Sequence, residues 1–146
     1  MPPTLQLTSG IAAVLLWLLL AAFALRVAGQ LVVVIAAPRW LPPMEQWFSG
    51  VLAYPILLAV QVVMLVAMAV VALGVGAGWP LAISSGPGYG RALAAGAYAY
   101  AAVMVARYAV RMARRHDQRW FGGTIPIAFH FVLAAGLFVL GSYLAS

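Results

Sequence analysis

Apolar residues in this chain fall into four long runs, with neither the strict alternation of a strand nor the narrow stripe of a surface helix. The first runs from Gly10 to Ala37 and is broken only by Arg26 and Gln30. The second, Val51 to Ala77, carries no charge. The third, Ala92 to Val110, holds Arg107, and the fourth, Pro126 to Ala145, holds His130. Each is near the ~20 residues that cross ~30 Å of hydrocarbon as a helix. Helix is the expected form, because lipid cannot satisfy open backbone groups and the runs lack the period of a barrel strand. The pattern therefore predicts an all-α integral membrane protein. Its expected fold is a four-transmembrane-helix antiparallel bundle with short loops, a single transmembrane domain with helices at about 10–37, 51–77, 92–110 and 126–145.

The breaks between runs carry the residues that end helices. Pro38 stops the first helix, and Pro42-Pro43 is expected to hold loop one extended. Gly78 to Gly90 reads as a Gly/Ser/Pro-rich loop two, and Arg111 to Thr124 as a polar loop three closed by Gly122-Gly123. Pro55 and Pro126 sit where a first helical turn tolerates a missing N–H. Trp40, Trp47, Trp79 and Trp120 all fall at expected membrane interfaces, as an aromatic belt would place them.

Composition agrees and narrows the class. Of 146 residues 66% are hydrophobic and 7% charged, against ~45–50% and ~25% in soluble domains. A water-facing globule and a disordered chain are excluded. With no cysteine, disulfides, thiol nucleophiles and thiolate-held zinc or iron–sulfur centres are excluded too. The first run is too long for a signal peptide and lacks a basic lead, so it reads as a retained anchor.

The net charge of +6 is all arginine, set against two acids, Glu45 and Asp117. The arginines cluster at helix ends rather than on a nucleic-acid-binding face, which points to the membrane surface. Loop three holds Arg111, Arg114, Arg115 and Arg119, and loop one holds Arg39, whereas Arg91 alone borders loop two. The positive-inside rule then places loops one and three in the cytoplasm. Both termini would face the periplasm of a bacterial inner membrane.

Polar groups inside the bilayer are costly and so are the first candidates for function. Helix order alone puts Arg26, Gln30, Gln61, Arg107 and His130 in one half of the membrane, the half nearest loops one and three. Arg26 and Gln30 are four apart on one face, Tyr54, Gln61 and Met68 recur every seven, and His130 shares a face with Ala134 and Gly141. An arginine at this depth needs a partner. Carbonyls, the glutamines, Glu45 folded back from loop one, or an anionic ligand are the choices. A guanidinium suits phosphate or carboxylate. The set Arg26, Gln30, Gln61, Arg107 and His130 is thus the expected binding site of an anionic lipid or similar amphiphile. Alternatives are an accessory subunit, with Arg26 paired to an acid of a membrane partner chain, and a small homo-oligomeric transporter or channel. The latter is weakened by the lack of a mid-membrane acid. No catalytic set emerges: the two histidines and two acids match no metal pattern, His116 and His130 cannot clasp one haem, and the serines lie on the far side from His130. No cofactor is expected.

Overall fold

The structure is a computed structural model that describes residues 6–47, 53–79, 86–114 and 124–146, apart from the side chains of Glu45 and Thr124. It contains helices α1 (Ser9–Ala36), α2 (Met44–Trp47), α3 (Tyr54–Ala77), α4 (Pro87–Arg114) and α5 (Thr124–Ala145). All but α2 are long and apolar enough to cross a membrane, and no strand occurs among the described residues. The protein is an all-α integral membrane protein built on four spanning helices.

Local chemistry sets the ends. The Thr8 hydroxyl caps α1 by accepting from the Ile11 N–H, a standard N-cap bond. At the other end Ala37 turns left-handed at φ 38° and returns its N–H to the Val33 carbonyl, after which Pro38 forbids continuation. Gly78 closes α3 in the same left-handed state. α4 is longer than its apolar run. It starts at Pro87, behind Gly86 at φ 94°, and not near Ala92, because proline at a first helical position costs nothing. It then continues through Arg111 and Arg114, whose charges suit a helix C-terminus.

The helices pack in the lateral order α3, α1, α5, α4. The first and second spans are neighbours, as are the third and fourth, but α3 and α4 do not touch among the described residues. Helix α1 is central. Its buried Ala12, Leu16, Leu20, Phe23, Val27 and Gln30 recur at spacings of three and four, the signature of one packed face. Ala12, Ala13 and Leu16 meet Ala72 and Val75 of α3 and Val139 of α5 in the main apolar cluster. Outward residues such as Leu25, Ile35 and Val63 are exposed and form the lipid face. The two hairpins thus enclose a bundle that is open between α3 and α4.

The α4–α5 crossing is the closest. A Cβ at Gly141 would stand 2.6 Å from the Ala94 nitrogen, and one at Gly90 2.7 Å from the Gly141 carbonyl oxygen. Only glycine permits this approach of backbones, which is how membrane helices gain dispersion contact without a hydrophobic drive. The crossing lies at the end of the bundle where Leu7 and Ser146 are hydrogen-bonded, called here the terminal side. Loops one and three mark the opposite, loop side.

Candidate functional site

Two polar pairs sit inside the apolar bundle. Gln61 Nε2 donates to Gln30 Oε1 at 3.1 Å, tying α3 to α1 with both side chains buried. The match in level follows from the helices. Gln30 is six residues from the end of α1 and Gln61 seven from the start of α3, or ~9–10 Å at ~1.5 Å per residue. The Tyr100 hydroxyl and His130 Nδ1 share a hydrogen bond of 2.6 Å that ties α4 to α5, their rings edge to face.

Arg26 is held between these pairs. It is only 7% exposed, one turn from Gln30 and ~15 Å from the loop-side end of α1. Its Nη2 donates to the Trp47 carbonyl at 3.4 Å, and its guanidinium lies 5.4 Å from the centre of the Phe129 ring, within cation–π range. Of the partners open to it, the structure supplies a backbone carbonyl and a ring. The side chains of Glu45 and Asp117 lie outside the described residues.

Loop one makes this contact by folding back. Instead of an extended connection ending in an interfacial tryptophan, it forms α2, which packs on α1 and α5. Trp47 is 8% exposed, whereas Trp40 and Trp79 are well exposed. Its indole lies against Gly29, where a Cβ would come within 2.8 Å, and its Nε1 donates to the Pro42 carbonyl at 2.9 Å. Backbone at this depth is tolerated because protein covers it.

Five buried polar atoms have no hydrogen-bond partner among the described residues: Arg26 Nε, Gln30 Nε2, Gln61 Oε1, the Tyr54 hydroxyl and, toward the terminal side, Ser142 Oγ. Tyr54 is on the same face of α3 as Gln61, two turns nearer the loop side. Orphaned polar groups in a bilayer are expensive, and four of these five lie in the loop-side half of the bundle.

A cleft of about 310 Å³ begins near Gln61, and Tyr100 is the polar side chain that lines it. Met64, Met68 and Val71 of α3 form one wall and Tyr100 of α4 the other, over Leu16 of α1 and Leu133 to Leu140 of α5. Gln61 precedes Met64 by one turn, and His130 precedes Leu133 by one turn. Leu16, Phe23 and Gln30 follow one another at seven-residue spacing along α1, all buried. The cleft is therefore apolar apart from Tyr100, with Gln61 and His130 about one turn beyond its lining toward the loop side.

Of the five residues singled out in the sequence, Arg26, Gln30 and Gln61 are buried together, and His130 stands nearby, paired with Tyr100. Arg107 is exposed on α4, two turns beyond Tyr100, and is not part of the buried group. Trp47 and Phe129 are the contacts that the sequence did not reveal. A cation next to an aromatic leaves no periodic signal when the two lie on different helices. Comparison with known protein families, curated proteins and solved structures finds no match, so the functional reading rests on this geometry.

Proposed function

We propose that the protein binds a membrane amphiphile with an anionic head. The apolar chain occupies the cleft between α3 and α4. The head meets Arg26, Gln30, Gln61 and His130 at the cleft's loop-side end, with Arg107 at the outer rim. The observation that carries this reading is an open apolar cleft that ends about one turn from buried Gln61, in a bundle where Arg26 Nε and Gln30 Nε2 have no partner among the described residues. The cleft volume is at the lower end of the ~300–1,000 Å³ typical of small-molecule sites. We place the protein in a bacterial inner membrane with loops one and three in the cytoplasm, on the arginine count.

Native mass spectrometry of the protein, extracted gently from its own membrane, tests the proposal. A bound amphiphile is expected on the wild type, lost in Arg26→Leu and in Gly136→Leu. A Cβ at Gly136 has nothing within 4 Å, so a larger side chain there fills the cleft without striking backbone. Bound lipid unchanged in both variants would sink the reading, and added mass the size of a second chain would turn attention to a partner.

A further inference from the structure

We infer that the head group bound at this site is a carboxylate on a single long apolar chain, and not the phosphate of a two-chain lipid. The inference rests on the amphiphile reading above and narrows it to a ligand class. Depth is the first argument. The 28 residues of α1 measure ~42 Å, about the hydrocarbon core plus both headgroup zones. With α1 centred in the bilayer, the Gln30 and Arg26 backbones lie ~12 and ~6 Å from the midplane. Both are inside the hydrocarbon boundary at ~15 Å. A phospholipid keeps its phosphate beyond that boundary, held by the glycerol and its second chain. A free acid has no such tether and can sit deeper.

Charge is the second argument. The site offers one guanidinium, and both Arg26 Nε–H and Gln30 Nε2–H have no partner among the described residues. These are neighbours at i, i+4 on one helix face, ~5–6 Å apart at Cβ. One carboxylate accepts from both and leaves no net charge in the hydrocarbon. A single-chain phosphate ester carries up to two negative charges at neutral pH and would leave an excess against a lone arginine, at a depth where uncompensated charge is costly. Shape is the third argument. A cleft of about 310 Å³ with one apolar gutter along Leu16, Met68 and Leu137 accommodates one chain.

The test is a titration of the delipidated full-length protein in detergent with palmitate, hexadecanol and phosphatidylglycerol, read by native mass spectrometry. Palmitate is expected to bind one to one, about ten- to hundredfold more tightly than hexadecanol, the range of a charge-assisted hydrogen bond. Arg26→Gln should reduce palmitate to the hexadecanol level while hexadecanol binding persists, which shows that the cleft is still folded. Glu45→Gln should leave the preference in place. A preference for palmitate that emerges only in Glu45→Gln would overturn the inference, because the chain's own acid would then be the partner of Arg26. Phosphatidylglycerol that displaces palmitate from the wild type and is itself blocked by Gly136→Leu would also overturn it, while leaving the amphiphile reading intact. If none of the three probes binds, both readings fall.

Discussion

A Cβ on Gly29 would come within 2.8 Å of the Trp47 ring, and the backbone carbonyl of the same residue accepts from Arg26. Gly29→Val is therefore expected to dislodge loop one, costing about 1–3 kcal/mol as an overpacked contact does. A lower midpoint of thermal unfolding in detergent, with a red shift of tryptophan emission, would register it. An unshifted emission would mean the indole does not need the notch. Ala37 is a simpler case. It holds a left-handed conformation that costs a non-glycine residue ~1–2 kcal/mol, so Ala37→Gly should raise the unfolding midpoint. At this scale the sequence showed Arg26 and Gln30, since a charge and an amide four apart in an apolar helix have few readings. It did not show Trp47, because a tryptophan beside a membrane helix has the same composition whether it anchors at the interface or turns inward. Nor did it show Tyr100 as the partner of His130, which lies on a separate helix.

Between elements, close packing and a few hydrogen bonds replace the hydrophobic effect, since lipid is as apolar as leucine. The Gly90–Gly141 crossing should thus be sensitive to bulk. Gly90→Val forces its side chain into the backbone of α5 and is expected to lower stability by at least the ~1–3 kcal/mol of ordinary overpacking. Resistance to a denaturing detergent would measure the loss. The Gln30–Gln61 bond should contribute less. A double-mutant cycle through Gln30→Leu and Gln61→Leu is expected to give a coupling of ~0.6 kcal/mol, with ~1.7 as the upper end of membrane precedents. A coupling of zero would mean that each amide spends its time with another partner. Four spans were legible because an apolar run of the right length has one cheap conformation in a bilayer. The start of α4 was not, because Gly86-Pro87-Gly88 reads as a loop until the chain direction makes Pro87 a first helical residue.

For the molecule as a whole, four crossings put the start of α1 and the end of α5 on one side, where the Leu7 N–H donates to Ser146 Oγ at 3.3 Å. Reporter domains fused to the two ends should therefore give the same compartment. On the arginine count it should be the periplasm, and added arginines at both ends should oppose that orientation. A split result would refute the four-span fold. Neighbour order was legible only in part: short loops predict sequential antiparallel neighbours, which holds for α1–α3 and α4–α5 but not, among the described residues, for α3 and α4. The face that meets lipid and the face that meets protein are equally apolar, so nothing in a hydropathy trace says that α1 lies between α3 and α5.

That order has a meaning in the time of synthesis. Arg26 is in α1, and Phe129, whose ring faces it, is in α5. At ~5–20 residues per second the interval between them is on the order of 5–20 s. For that interval a cationic helix waits in the bilayer with half its shelter missing. Loop one reaches it early through Trp47, and α5 completes the enclosure. A nascent chain stopped before α5 would keep the charge and lack the ring that faces it.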